Sequence, residues 1–234
     1  MDRSLNKSVG RGGVLVDAGL RVYMQKVFST MGLGLALTGL VAYVVASTPA
    51  LYGVILGTPL VWVLLIATLA VPVTLGASIG RLRASTAQML FWGYAALMGA
   101  TTSSVFLIYA MESVARVFLI TSCMFGGMSL YGYTTKRDLT NWGSFLFMGV
   151  LGLVLASVVN LFVGSTPLQM ALSVVAVLVF TGLTAYDVQM IARLYQPSAG
   201  EDVRKKSVVL GALSLYLDFI NMFFALLRLF GDRR

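Results

Sequence analysis

A chain of 234 residues that is 58% hydrophobic and 11% charged carries far less charge than the roughly 25% of an ordinary soluble domain. Its mean hydropathy is +0.88, and its apolar residues come in long, nearly uncharged runs, as a polytopic membrane protein requires. A single cysteine, Cys123, and the lack of histidine exclude a disulfide framework and any zinc or haem site built on imidazole or several thiolates.

In chain order, a polar tail over residues 1–26 carries Arg3, Lys7, Arg11, Arg21 and Lys26 with glycines at 10, 12 and 13. It lacks the short apolar core and small-residue cleavage site of a secretory signal, so the first helix is expected to act as its own uncleaved signal. The tail is expected to be mobile to about Ala18 and to lead into helix 1 near Val27–Ala46. Helix 2 is predicted near Pro59–Ala77, with Pro72 late in it, and Arg81 and Arg83 follow at once. Helix 3 is predicted over about Thr86–Ala110 and helix 4 over Ala115–Tyr133. The small and hydroxyl residues from Gly99 to Ser104, and Gly126, Gly127 and Gly132, are expected to serve close packing of helices. Thr140 is the expected N-cap of helix 5, near Gly143–Val163. Gly164 to Pro167 reads as a tight turn before helix 6, which runs from Leu168 to Asp187 or a turn beyond. A hydrophilic link precedes helix 7, Ser207–Phe230.

The expected fold is thus all-α and polytopic, with residues 27–231 forming one domain of seven transmembrane helices. Thirteen of the seventeen Lys and Arg residues fall in the tail and the loops after helices 2, 4 and 6. This bias predicts a cytoplasmic N-terminus and explains the net charge of +8 without nucleic acid, which is not expected as a partner.

Two carboxylates stand out at membrane depth, Asp187 at the end of helix 6 and Asp218 within helix 7. Charges there are costly and by default functional. On a heptad, one seam of helix 7 reads Gly211, Ser214, Asp218, Asn221, Ala225, Arg228, all small or polar in an otherwise apolar surface. Such a seam must avoid lipid, which predicts that helix 7 is central, with other helices packed around it. At 1.5 Å per residue Asp218 lies about 16 Å in from Ser207 and Asp187 about 9 Å in from Arg193, so a meeting of the two is permitted but not required. If they meet in a poorly solvated site, both cannot easily ionise, and the pair shares a proton. Arg81 is the nearest candidate guanidinium by depth, against the plainer reading of an orientation anchor. Glu112 reads as a solvated loop charge, and GLGLALTG in helix 1 lacks the strand and Lys-Ser of a phosphate loop.

TGLTAYDVQMI (181–191), ALSLYLDFINMFFALLRLFG (212–231) and SLYGYTTKRDLT (129–140) resemble the signature segments of the Bax inhibitor-1 family, also called TMBIM, and most resemble its bacterial branch. The resemblance implies six helices around a central seventh, in a bacterial inner membrane. It also implies a pH-sensitive calcium leak controlled by two aspartates, which match Asp187 and Asp218, and an arginine that pairs with them when closed, which matches Arg81.

Three functions follow as expectations. In the first, a leak channel, Asp187 and Asp218 offer the oxygen ligands that suit Ca²⁺, which is bound in passage rather than held as a cofactor. In the second, an intramembrane aspartyl protease, Ala185-Tyr186-Asp187 fits one half of the motif. The Leu215-Tyr-Leu before Asp218 departs from the Gly-x-Gly-Asp of the other, so no enzyme is expected. The third is a regulatory protein that binds a membrane protease or stress-response partner through its tail and loops.

Overall fold

Apolar runs of this length satisfy their own backbone groups only as helices, and helices are what the chain forms. The computed structural model describes the backbone of residues 3–234 and, from Ala18 onward, every side chain except Leu56. Nine helices follow one another among these residues: α1 (Arg3–Ser47), α2 (Pro49–Leu56), α3 (Leu60–Ser78), α4 (Ala84–Thr102), α5 (Ser104–Ile108), α6 (Met111–Thr134), α7 (Thr140–Val163), α8 (Thr166–Arg193) and α9 (Glu201–Phe230). Seven spans are long and apolar enough to cross a membrane: α1 from Ala18, α3, α4 with α5, α6, α7, α8 and α9. The protein is an all-α polytopic membrane protein.

The boundaries depart from expectation in five places, each with a local cause. The polar segment expected to precede helix 1 belongs to α1 from Arg3 onward, and the side chains of the stretch expected to be mobile lie outside those described. A short helix not anticipated from the sequence, α2, starts on Pro49, whose missing N–H suits a first helical turn. Helix 3 is broken at Ser103, whose hydroxyl donates to the Ala100 carbonyl at 2.8 Å. Thr140 is not the N-cap of α7. It is the first helical residue, and Asp138 Oδ1 accepts from both its backbone N–H (3.0 Å) and its hydroxyl (2.6 Å). Finally, α9 begins at Glu201, well before the apolar run at Ser207. The turn into α8 is as expected: Gly164 takes φ +65°, and Ser165 caps the helix by accepting from Leu168 N.

The last helix occupies the centre of the bundle. Two-thirds of its most apolar window is buried, against 33% or less for every other span. Its polar seam is not its only inward face: Leu215, Tyr216 and Met222, which lie off the seam, are fully buried. A helix that is apolar nearly all round and covered nearly all round needs neighbours on every side, and α1, α4, α6 and α8 supply them. By contrast α3 and α7 bury only 6% of their windows, leaving Ile66, Leu69, Phe145 and Leu155 facing outward, as lipid-facing spans do.

Small residues set the helix spacings. A Cβ on Gly99 would lie 2.6 Å from the Thr38 carbonyl, so α4 approaches the backbone of α1 closely. A Cβ on Gly132 would strike the backbone of Ala185, which fixes α6 against α8. Gly126 and Gly127 face open space, so the packing expected of them is absent. One buried hydroxyl node then joins three helices. Thr38 Oγ1 of α1 lies 2.9 Å from the Ala95 carbonyl of α4 and 2.7 Å from Tyr216 Oη of α9.

The C-terminus is tied to the far end of the bundle. Ala110 N donates to Asp232 O (3.1 Å), Arg234 N to Ile108 O (2.9 Å), and Asp232 N to the buried Ser113 hydroxyl (2.9 Å). These bonds hold the exit of α9 beside the start of α6.

Candidate functional site: the paired aspartates of α8 and α9

The contact between α8 and α9 has a readable register. Ile191 faces Gly211 and Thr181 Oγ1 lies 3.4 Å from Met222 Sδ, so Asp187 falls opposite the turn of α9 that begins at Ser214. Asp218 sits one turn beyond Ser214 on the same helix, so this register brings the two aspartates to neighbouring turns of α8 and α9. The same register leaves the first two turns of α9 projecting past the end of α8, which narrows the depth mismatch expected from the sequence.

The two carboxylates have different surroundings. Asp218 is only 4% exposed, and its Oδ2 is buried without a hydrogen-bond partner. Asp187 is half-buried and has Ser214 beside it. A buried carboxylate oxygen with nothing to accept from is costly to maintain, so it needs a proton, a cation or a water to answer it. Thr184, fully buried one turn before the Tyr186-Asp187 pair, spends its hydroxyl on the Phe180 carbonyl at 2.8 Å.

The remaining residues singled out in the sequence lie farther off. Asn221, half-buried, donates to the Leu217 carbonyl of its own helix at 2.8 Å. With Arg228, Asn160 and Gln169 it lines a cavity of about 670 Å³ between α7, α8 and α9, toward the end where the chain terminates. Arg81 is exposed at the turn between α3 and α4, and none of the ion pairs among the described residues includes it. Glu112 is exposed in the first turn of α6.

Sequence reasoning missed a polar clasp at the end of α8. Gln189, 8% exposed, accepts from Leu139 N (2.9 Å) through Oε1 and donates to the Arg137 carbonyl (2.9 Å) through Nε2. Arg193 donates to Asp138 Oδ1 (2.8 Å), to Thr140 Oγ1 (2.9 Å) and to Gln189 Oε1 (3.0 Å). The hydrogen bonds from Thr140 and the Arg193 guanidinium hold the exposed Asp138 carboxyl down at about 2. The clasp fixes the α6–α7 loop directly over the helix end that carries Asp187. The one signal in the sequence was a glutamine two residues after Asp187, near the end of a predominantly apolar helix. A second tie, Asp202 Oδ1 accepting from Ala84 N (3.1 Å), joins the start of α9 to the start of α4, next to Arg81.

A family model described as inhibitor of apoptosis-promoting Bax1 matches residues 20–234, the whole bundle with both aspartates. The chain belongs to the Bax inhibitor-1 family. Among its relatives in this family is the inner membrane protein YbhL of Escherichia coli, 46% identical over 220 residues, which cover 93% of this chain and 94% of that one. An uncharacterized protein of Rickettsia prowazekii is 44% identical over 218 residues, 93% of this chain and 92% of its own. An uncharacterized membrane protein of Streptococcus pyogenes is 38% identical over 219 residues, 92% of this chain and 94% of its own. The central α9 is thus the last helix of a Bax inhibitor-1 bundle, and Asp187 and Asp218 are the least exposed acidic side chains among the described residues.

Proposed function

We propose that this Bax inhibitor-1 protein is a calcium leak channel of a bacterial inner membrane, gated by protons at Asp187 and Asp218. The reading rests on one observation above all: the α8–α9 register brings Asp187 level with the turn that carries Asp218, whose Oδ2 is buried with no hydrogen-bond partner. Ca²⁺ prefers six to eight oxygen ligands. Two carboxylates and the Ser214 hydroxyl supply only part of that shell, so the ion keeps much of its water and is passed on rather than stored. A site that binds too completely would not conduct.

In this mechanism the ionised pair draws a cation into the centre and couples α8 to α9. Acid adds protons to the pair and weakens that coupling, which frees α9 to shift against α8. We assign Arg81 the role of a latch that engages the ionised pair in the closed state. It stands at the same end of the bundle, and reaching the pair requires an inward movement of the α3–α4 turn. The inner-membrane setting is supported by the relative YbhL, and a cytoplasmic N-terminus by the concentration of basic residues at that end.

The purified protein in proteoliposomes holding a calcium-sensitive dye tests the activity itself. Calcium entry above that of empty vesicles, faster at pH 6 than at pH 8, is expected. Flux equal to that of empty vesicles at both pH values would contradict a leak, and would favour the reading in which the chain regulates a membrane protease or stress-response partner.

A further inference from the structure

A second cavity, of about 860 Å³, opens between α1, α4 and α9 at the end of the bundle where α9 begins. The Asp187–Asp218 site does not use it. Its rim carries Lys26 of α1 and Arg204 and Lys205 of α9 around a single carboxylate, Glu201. Glu201 pairs with Lys205 at 2.8 Å, whereas Lys26 and Arg204 take part in no ion pair among the described residues. Both lie close enough to Glu201 to act on its charge, so the rim is one cluster with an excess of positive charge.

Deeper in the cavity the lining changes character. Trp92 of α4 is half-buried, and Leu33 of α1 is 61% exposed. Leu33 lies two turns from Lys26, about 10 Å farther along the helix. Cationic rim, indole and aliphatic wall therefore follow one another from the bundle end toward its middle. Tyr23, one turn before Lys26 on α1, is 3% exposed and packs against the Tyr195 ring at 5.4 Å, so the wall on that side is aromatic and closed.

We propose that this cavity binds one anionic phospholipid. The phosphate sits between Lys26 and Arg204, and an acyl chain lies along Trp92 and Leu33. The order of the lining selects this occupant: a soluble anion would use the rim and leave the apolar wall uncovered. A zwitterionic lipid would leave the excess positive charge unanswered.

The full-length protein, reconstituted in an equal mixture of phosphatidylglycerol and phosphatidylcholine and then exchanged into detergent, is examined by native mass spectrometry for the lipid it retains. Phosphatidylglycerol is expected to be enriched, with a loss of about fivefold for each of Lys26→Gln and Arg204→Gln. Arg116→Gln at the opposite end is expected to change nothing. Equal retention of the two lipids would overturn the proposal, as would enrichment unchanged in the Lys26→Gln/Arg204→Gln double variant. Displacement of the lipid by millimolar inorganic phosphate would also overturn it, in favour of a site for a soluble anion.

Discussion

Gln189 holds the peptide groups on both sides of Asp138: its amide oxygen accepts from Leu139 N and its amide nitrogen donates to the Arg137 carbonyl, both at 2.9 Å. Because Gln189 lies two residues from Asp187, the α6–α7 loop and the acidic site share one helix end. Gln189→Ala leaves a loop N–H without its partner at a part-buried position, at a cost of about 1–3 kcal/mol. Thermal unfolding in detergent is expected to show that loss, and hydrogen exchange to show the amide of Leu139 opening first.

The same clasp has its own pH dependence. Asp138 titrates at about 2 in the folded protein against an ordinary 3.8, mainly because Thr140 donates to it and next because of Arg193. A lowered folded value means that the ionised form stabilises the fold. That contribution is fully present above pH 4 and is lost as the pH falls through 2. Asp138→Asn is therefore expected to unfold at a lower temperature than the unaltered protein at pH 7, with the two curves converging by pH 2. An equal gap at both pH values would assign the effect to packing instead.

Much of the fold was legible because lipid imposes strong rules. Seven apolar runs gave seven spans, and the polar seam through Asp218 marked the central helix. Where the reasoning failed, the cause was tertiary. The clasp depends on Gln189 and Leu139 meeting from positions far apart in the chain, and no periodicity reports such a meeting. The start of α9 was placed at Ser207 because hydropathy marks the membrane boundary, whereas the helix continues through Glu201–Lys205 and Asp202–Lys206 pairs outside it. That misplacement enlarged the depth mismatch between the aspartates. Glycines were ambiguous for the same reason: Gly132 and Gly126 look alike in sequence, and only one has a backbone against it.

That contrast can be measured. Gly132→Ala forces a methyl group into the backbone of Ala185 and is expected to destabilise the protein by about 1–3 kcal/mol. Gly126→Ala meets nothing within 4 Å and is expected to be neutral or to stabilise by up to about 1 kcal/mol through helix propensity. Chemical unfolding in mixed micelles compares the two directly.

The buried node on α1 makes an asymmetric prediction. Thr38→Val keeps the shape but leaves Tyr216 Oη and the Ala95 carbonyl without their partner, at about 1–3 kcal/mol. Tyr216→Phe removes one hydrogen bond and leaves Thr38 bonded to backbone carbonyls, at about 0.5–1.5 kcal/mol. Unfolding of both variants should show the threonine substitution as the costlier.

The central claim concerns Asp187 and Asp218, and the pH profile of calcium flux in proteoliposomes tests it most directly. Asp187→Asn and Asp218→Asn keep the size of each side chain and remove its ability to bind a proton. The account predicts flux that rises with acid in the unaltered protein and is level between pH 6 and pH 8 in each variant. A profile in both variants with the steepness of the unaltered protein would contradict it.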